Sequence, residues 1–391
     1  MSNIAPSILT ADTVPAYLAE RSEEIGIFSV DAKLIASPIL GGNVNYAFQV
    51  IEEGTDKSIF VKQAPEFVAV FGPDGYPLTS QRMQKEIDVY NEWRDILGET
   101  LEKRYLPRVY LFDAKNMVFV MQFFDGFDLL DHELVGDVAV SSSIAAGLGE
   151  FMGKTHSATH SSKVSVERAE YLTSHFENRA MREIQLEWVF SKCYREATDE
   201  QRAGLTVDEA FMKEIEILKS AYDGKNADNL VLSHGDLHPG SVMVNLKTDE
   251  VKVIDPEFTV YGPPGLDVGS VLSGYVLAAV HQSYSGNNDS VKRVCESATA
   301  VWESYCDSMI EGGISPEMMK KIEVESVGFT VAEVCRTALE FAGDRKWLQF
   351  ENAETKADSK KAALKIVGNC MVERHSGGMK LMLDQIKALS K

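Results

Sequence analysis

The chain contains the stretch Leu232-Ser-His-Gly-Asp-Leu-His-Pro-Gly-Ser241, and a second acidic stretch, Val253-Ile-Asp-Pro-Glu-Phe258, follows it after a short predicted strand. Together they place one acid, Asp236, on a tight turn and two more, Asp255 and Glu257, downstream of it. Phosphoryl transfer needs one carboxylate that orients and deprotonates the attacking hydroxyl, and others that hold Mg²⁺ against nucleotide phosphates. The layout therefore predicts a phosphotransferase site, with Asp236 as the base and Asp255 and Glu257 as metal ligands.

Each of these assignments has a simpler alternative. Gly235 permits a strained backbone at the end of a strand, so that Asp236 projects into a cleft; the alternative is an ordinary turn or helix-capping aspartate. Asp255 and Glu257 are two residues apart, and an extended backbone places both side chains on one side. Two hard oxygen donors suit Mg²⁺, which keeps few protein ligands. The alternative for this pair is solvated turn acids.

Three further polar residues near these acids are expected to support the loop rather than to react. We expect His234 to pack within the turn and to hydrogen-bond its backbone, and we expect His238 to support the same loop. Asp267 opens a predicted helix in Gly262-Pro-Pro-Gly-Leu-Asp-Val-Gly269. It is expected to hold the catalytic turn in place.

Composition and charge restrict the class of protein. The chain has 391 residues, 45% of them hydrophobic, which leaves room for two lobes with real cores. Its net charge of −20 argues against nucleic-acid binding as the main function. Five widely spaced cysteines without a Cys-x-x-Cys pair predict reduced thiols in a cytoplasmic protein. No secretory signal and no membrane span are expected, because no basic leader and no long apolar run is apparent.

The order of predicted elements divides the chain into two parts, since strands come first and helices later. We expect an α+β fold with a nucleotide-binding lobe over 1–124 and a catalytic and substrate-binding lobe over 125–391. The predicted elements are a helix over 11–24, strands over 28–40, 46–51 and 58–63, a helix over 80–97, strands over 108–113 and 117–124, helices over 138–160, 167–192 and 207–223, strands over 230–233, 242–245 and 251–254, and helices over 265–283, 290–309, 315–341, 357–372 and 378–389.

A glycine turn in the first part is a candidate phosphate loop. It joins two predicted strands and contains Gly41, Gly42, Asn43 and Asn45. Adjacent glycines let the backbone approach phosphate oxygens without interference from Cβ atoms, and the amide groups can point inward. A plain hairpin turn has the same sequence character, so this motif has a structural alternative.

A lysine in the next strand is a candidate phosphate ligand. Strand alternation alone favours exposure of Lys62, whereas a kinase lobe needs it in the cleft. Glu86, on the following helix, would pair with Lys62 and fix its ammonium group; the alternative is a surface pair of Glu86 with Arg82. The adenine is expected against the backbone at the joint between the lobes, formed by Gln122, Phe123 and Phe124.

With these motifs the chain resembles the 5-methylthioribose kinases, within the aminoglycoside phosphotransferase and choline kinase superfamily. Their catalytic segment reads His-Gly-Asp-Leu-His-Thr-Gly-Ser and differs here only at Pro239. Ser241 and Glu257 favour this branch, because its cousins carry Asn in the position of Ser241 and place the metal aspartate in a different tripeptide. Further matching segments are Gly42–Phe48, Phe60–Ala64, Tyr76–Thr79, Asp255–Phe258 and Tyr261–Gly269.

The likeness weakens where the family grips its sugar. There an Arg-Arg pair, in a helix that begins Gly-Phe-Gly, contacts methylthioribose and helps to stabilise charge on the transferring phosphoryl group. Aligned from Gly328-Phe329, this chain has Arg336 followed by Thr337. The resemblance implies that Arg336 binds the substrate, whereas one cation of the pair is missing. Such a loss costs on the order of 2–4 kcal/mol in a transition state unless another cation replaces it.

The resemblance implies a protein kinase-like bilobal fold with a small β-rich N-lobe and a larger helical C-lobe. It also implies an ATP- and Mg²⁺-dependent kinase for the 1-hydroxyl of 5-methylthioribose, and a homodimer. Its expected partners are the small-molecule sugar and ATP, with no nucleic acid and no membrane. Thr337 leaves two alternatives open: a kinase for another sugar, an amino alcohol or an aminoglycoside, or a nucleotide-binding pseudokinase.

Overall fold

The computed structural model of the chain describes residues 7–40, 44–138, 140–343 and 345–390. These residues form two compact units. The first unit runs to Asp95 and continues over Glu99–Gly126, and the second contains Ile96–Gly98 and the chain from Phe127 onward.

The first unit is built on a five-stranded antiparallel sheet with the order β1-β2-β3-β5-β4. Its buried side chains from β2 and β3, such as Val50 and Val61, share one core with Val14 and Leu18 of an N-terminal helix. The elements are β1 (Leu34–Pro38), β2 (Tyr46–Glu52), β3 (Ser58–Gln63), β4 (Val109–Asp113), β5 (Val118–Gln122), α1 (Val14–Ala19) and α2 (Ser22–Ile25).

One long helix, α3 (Arg82–Tyr105), follows β3 in this part of the chain. Its buried residues Glu86, Tyr90 and Trp93 recur at three- and four-residue spacing, so they share one helix face. Gly98 breaks the regular helix with a φ of +66°. This geometry places Glu86 on the face that the helix buries.

The second unit contains two small sheets, and they bring the acidic turns together. The strands are β6 (Asp128–Leu129), β7 (Val231–Ser233), β8 (Val242–Asn245), β9 (Glu250–Val253) and β10 (Val260–Gly262). One sheet has the order β6-β8-β9, and β10 pairs with β7 in the other. Asp236 lies between β7 and β8, and Asp255 and Glu257 lie between β9 and β10. Pairing of β8 with β9 and of β7 with β10 therefore aligns the two connections.

The rest of the second unit is mainly helical. Helix α11 is buried along nearly its whole length and packs against α12, α13 and α14. A Cβ atom on Gly269 of α11 would lie 2.5 Å from the Phe329 Cβ, so glycine allows α11 and α13 to approach closely. The helices are α4 (Leu130–Val135), α5 (Ser142–Thr159), α6 (Val166–His175), α7 (Arg179–Glu187), α8 (Cys193–Glu196), α9 (Asp199–Arg202), α10 (Glu209–Tyr222), α11 (Gly265–Tyr284), α12 (Asn288–Glu311), α13 (Pro316–Ala338), α14 (Ala353–Cys370) and α15 (Arg374–Lys387).

The predicted α+β class is confirmed, with strands dominating the first unit and helices the second, but several predicted boundaries are wrong. The first strand is shorter than 28–40, and the helix predicted from Val138 begins at Ser142, where the Ser141 side chain caps it by accepting from the Ile144 amide. The helix predicted over 167–192 is interrupted at Asn178, whose φ of 43° lies outside the right-handed helical region. No helix in the described part of the chain is long and apolar enough to cross a membrane.

Candidate active site

The turn after β7 projects Asp236 from the sheet. Gly235 has a φ of +87°, and a Cβ atom there would lie 2.0 Å from the Phe258 carbonyl oxygen. Only glycine combines that backbone conformation with so close a neighbour. The Asp236 side chain that follows is 26% exposed, so it stays accessible at the end of a buried strand.

Asp267 of α11 clamps this turn, as predicted. Its two carboxylate oxygens accept hydrogen bonds from the His234 amide at 2.7 Å and the Gly235 amide at 2.9 Å. It also interacts with His156 Nε2 at 3.1 Å. Burial acts to raise the pKa of Asp267, but the contacts with His156, His234 and the Gly235 amide outweigh burial and lower that pKa. A buried, charged Asp267 therefore fixes the backbone that aims Asp236.

The polar residues of the loop that were expected to support it form hydrogen bonds with backbone groups. His234 Nε2 donates to the Ile254 carbonyl at 2.9 Å, which ties the turn to the end of β9. His238 Nδ1 accepts from the Gly240 amide at 2.9 Å. The Ser241 hydroxyl donates to the Asp236 carbonyl at 3.0 Å, and the Ile254 amide donates to the Ser241 carbonyl. These bonds confirm the predicted supporting role of His234 and His238.

The departure at Pro239 has a packing partner in this chain. A Cβ atom on Gly274 of α11 would lie 2.1 Å from the Pro239 Cγ atom. The proline ring therefore fills the space that a glycine leaves on the facing helix. This contact holds the catalytic loop against α11.

The two acids after β9 offer a pair of oxygen donors. Asp255 and Glu257 each carry a carboxylate oxygen within 4.8 Å of the other's. Asp255 is exposed and has a φ of +64°, which is uncommon for a residue with a side chain. Glu257 is 4% exposed, and its carbonyl accepts from the Asn178 side chain at 2.8 Å. Two hard donors at this separation fit one Mg²⁺ ion.

The charge state of Asp236 depends on neighbours from several elements. Burial raises the pKa of Asp236, the positive charges of Arg336 and Arg345 and the neighbouring His234 lower it, and Asp255 raises it. The net shift is upward. A carboxylate with a raised pKa is a better proton acceptor than an ordinary aspartate, which suits a base.

A pocket in the second unit adjoins Asp236, because its lining residue His238 has Nε2 3.7 Å from Asp236 Oδ2. Arg336 of α13 donates to Glu333 from Nε at 3.1 Å and from Nη2 at 2.8 Å. Arg345, from the segment after α13, lines the same pocket. The other lining residues are Asp131, Leu134, Val135, His238, Pro239, Ser273, Gly274, Leu277, Ala278, Glu333, Thr337, Lys346 and Trp347.

Two buried polar atoms belong to residues that line this pocket. The Asp131 Oδ1 acceptor and the Trp347 Nε1 donor have no hydrogen-bond partner among the described residues. An unpartnered buried polar group costs about 1–3 kcal/mol. A ligand with several hydroxyl groups would satisfy both atoms, because a hydroxyl both donates and accepts.

In the first unit, Lys62 and Glu86 form a buried ion pair. Lys62 Nζ lies 2.7 Å from Glu86 Oε2, and the side chains are 7% and 1% exposed. The alternative of a solvent-exposed Lys62 is therefore wrong. Arg82 is buried rather than at the surface. It donates from Nη1 to the Pro65 carbonyl at 2.9 Å and from Nε to Asn45 Oδ1 at 3.1 Å.

The other predicted nucleotide-binding residues lie at two ends of the sheet in this unit. Asn45 directly precedes β2, whereas Gly41, Gly42 and Asn43 lie outside the described residues. Gln122 ends β5, and its amide donates to the Arg108 carbonyl at 2.8 Å. Phe123 and Phe124 follow it, and Phe124 is buried.

Sequence reasoning missed several residues that shape the site. Gln185 Nε2 donates to the Gly235 carbonyl at 2.8 Å, and nothing in the sequence links these distant positions. The sequence does allow a pair of Glu333 with Arg336 to be predicted, because the two residues lie three apart on a predicted helix. Arg345 lies nine residues after Arg336 in the sequence, but its place in the pocket depends on the fold.

Comparison with known proteins adds to this geometry. Residues 35–287 match the model of the phosphotransferase enzyme family. A methylthioribose kinase from Escherichia coli O45:K1 is 33% identical over 69% of this chain and 64% of its own length, slightly less than two thirds of that protein. One from Geobacillus kaustophilus is 26% identical over 96% of both chains.

A solved structure, Plasmodium vivax ethanolamine kinase Pv091845, has a TM-score of 0.49 and 12% identity over 95% of this chain and 92% of that one. The family match covers well over half of the chain and includes both acidic turns. The resemblance predicted from the sequence is thereby confirmed. The chain belongs to the phosphotransferase enzyme family, and the relatives that it resembles along most of its length are methylthioribose kinases.

Proposed function

We propose that this protein is an ATP-dependent kinase that phosphorylates the 1-hydroxyl of 5-methylthioribose. The observation that carries the proposal is the pocket beside Asp236, which combines two arginines with unpartnered buried donor and acceptor atoms. The names of the relatives supply the sugar.

Asp236 acts as the catalytic base in this proposal. It takes the proton of the acceptor hydroxyl while the new oxygen–phosphorus bond forms and the bond to ADP breaks. Burial supports this role because it raises the pKa of Asp236. The Asp267 clamp supports it as well, since a base must stay within hydrogen-bond reach of the proton it abstracts.

Asp255 and Glu257 would hold Mg²⁺, which supplies neutralisation of phosphate charge when it is bound. Their neighbouring carboxylate oxygens support this assignment. Lys62, oriented by Glu86, would bind nucleotide phosphates, as would the predicted phosphate loop of Gly41, Gly42, Asn43 and Asn45. The backbone of Gln122, Phe123 and Phe124 would hold the adenine.

The pocket of the second unit would hold the acceptor sugar. Asp131 and Trp347 would hydrogen-bond ring hydroxyls, and Arg336 would face the reacting end. Apolar residues line part of the same pocket, including Leu134, Leu277 and Ala278. They would cover the methylthio group, whose transfer from water is favourable by the burial of apolar area. The homodimer and the cytoplasmic location that the resemblance implies stay predictions.

A substrate panel tests the proposal. The purified protein is incubated with ATP and Mg²⁺ and with methylthioribose, ribose, choline, homoserine or an aminoglycoside, and ADP release is measured. We expect kcat/KM for methylthioribose to exceed the others by at least about 100-fold, or about 2.7 kcal/mol. Equal or faster turnover of another acceptor would assign a different kinase, and tight ATP binding without any turnover would assign a pseudokinase.

A further inference from the structure

The pocket beside Asp236 is lined by Arg336 and Arg345, and of these two only Arg336 forms an ion pair among the described residues. Arg336 shares two hydrogen bonds with the Glu333 carboxylate. Arg345 donates from Nε to the Ala342 carbonyl at 3.0 Å and forms no ion pair among the described residues. Lys346 also lines the pocket but is exposed. The half-buried cation without a carboxylate partner is therefore Arg345.

The segment that carries Arg345 is fixed to α11. Arg345 precedes a short 3₁₀ turn, Lys346–Leu348, and the Leu348 amide donates to its carbonyl. His281 of α11 donates from Nδ1 to the Trp347 carbonyl at 2.8 Å, and its ring stacks on Phe350 at 4.7 Å. Anchors on both sides of the turn hold the Arg345 backbone at the pocket.

Three cations, Arg336, Arg345 and Lys346, and two carboxylates, Glu333 and Asp131, line the pocket, so cations are in excess by one. Burial and the charge of Arg336 lower the pKa of Arg345, against the smaller raising effects of Asp236, Glu333 and Asp131. The pKa of His238 is lowered to about 3, mainly by burial and also by the positive charges of Arg345 and Arg336. An anion bound near both guanidiniums would offset the repulsion between them. A neutral sugar hydroxyl would not.

We propose that Arg345 is the second cation of the phosphoryl-receiving end of the pocket, where it contacts the transferring phosphoryl group together with Arg336. The inference rests on the proposed function for its acceptor sugar. Arginine suits the role because its planar fork matches phosphate oxygens and stays charged.

The position next to Arg336 offers a matched way to examine this arrangement. Thr337 lines the same pocket and is 5% exposed. An arginine at 337 would bring a second guanidinium to the pocket from α13 instead of from the following turn. The double variant Thr337→Arg with Arg345→Gln thus moves one guanidinium from the turn to α13 and keeps the number of arginines at the pocket unchanged.

The first experiment measures kcat and KM of Arg345→Gln and Arg345→Lys in the full-length protein. We expect Arg345→Gln to lower kcat about 100-fold, as for loss of one donor to a developing charge, with KM for the sugar within about threefold. Arg345→Lys should fall between wild type and Arg345→Gln. The control is Arg195→Gln, an exposed arginine paired with Glu187 and Glu196, which should keep kcat within about twofold.

Two outcomes would overturn the inference: an Arg345→Gln enzyme with kcat within about threefold of wild type, or a loss confined to KM. The double variant should recover at least about tenfold over Arg345→Gln, and no recovery would count against a purely electrostatic role. Calorimetry with ribose 1-phosphate and with ribose separates the two proposals, because it needs no turnover. Arg345→Gln should weaken only the phosphorylated sugar, by about tenfold or more, even if methylthioribose proves not to be the substrate.

Discussion

The Lys62–Glu86 pair of the first unit and the Arg336–Glu333 pair of the second unit each join a cation to a carboxylate, but their surroundings differ. Lys62 and Glu86 come from different elements, and their side chains are 7% and 1% exposed. Arg336 and Glu333 lie one turn apart on α13 and are 15% and 13% exposed. Arg345 adds a further positive charge only beside the second pair.

The difference separates two uses of a cation. In the first pair the carboxylate balances the lysine and fixes its position, which is how a kinase lobe holds a phosphate ligand. In the second, Glu333 pairs with Arg336, and the lining of the pocket as a whole has three cations, Arg345 and Lys346 included, against the two carboxylates of Glu333 and Asp131. We expect the first pair to govern the affinity for ATP and the second to govern the transfer step.

The largest expected effect comes from replacing Asp236, the proposed catalytic base. Asp236→Asn keeps the size and most hydrogen bonds of the side chain but removes its basicity. We expect kcat to fall on the order of 1,000-fold, within the range for a general base. ADP release with the preferred sugar measures it, and the melting temperature should stay close to that of wild type. A variant that retains a tenth of wild-type kcat would show that Asp236 is not the base.

Neutralising Glu86 and neutralising Glu333 are expected to differ in their effects on the free energy of unfolding and on the KM for ATP. Glu86→Gln removes the carboxylate that lies 2.7 Å from the buried Lys62 ammonium, so we expect a loss of about 3 kcal/mol in the free energy of unfolding and a raised KM for ATP. Glu333→Gln should cost about 1 kcal/mol, because Arg336 faces a pocket, and should leave the KM for ATP unchanged. Urea denaturation and steady-state kinetics measure both. Equal effects of the two variants on ATP would contradict the division of roles.

The acid limb of the pH–rate profile should report the arginines. Arg336 and Arg345 lower the pKa of Asp236 against the raising effect of burial. Removing either guanidinium therefore raises the pKa of Asp236, and the protonated, inactive form persists to higher pH. We expect the acid limb of kcat for Arg336→Gln to move to higher pH than in wild type. A limb that stays in place, or moves to lower pH, would mean that the arginines do not act on the base.

The smallest expected effect is on the free energy of unfolding and comes from Glu325, which does not line the pocket. Burial raises the pKa of Glu325 to about 8, although the Gly265 amide and the Asn229 side chain donate to it. The folded state then binds a proton that the unfolded state releases near pH 4.5, so the free energy of unfolding falls between pH 4.5 and 8. The slope from this residue is up to about 1.4 kcal/mol per pH unit. Glu325→Gln should flatten it in urea titrations at pH 6, 7 and 8, and an unchanged slope would contradict the assignment.

Local chemistry made part of the site predictable. Gly235 directly precedes Asp236, Asp255 and Glu257 are two residues apart, and Asp267 opens a predicted helix, so each of these features can be read from its own local sequence. Sequence reasoning failed where tertiary contacts decide. Strand alternation favoured an exposed Lys62, but pairing with Glu86 on α3 overrides that preference. His281 holds the turn that follows Arg345, and no periodic pattern in the sequence records that contact.

The most direct measurement of the central claim is ³¹P NMR of the product formed from ATP, Mg²⁺ and methylthioribose by wild-type protein and by Asp236→Asn. The account predicts a single sugar 1-phosphate resonance with wild type and essentially none with the variant over the same time. Phosphate on another hydroxyl, no phosphorylated sugar with wild type, or the same product from Asp236→Asn at a similar rate would contradict it.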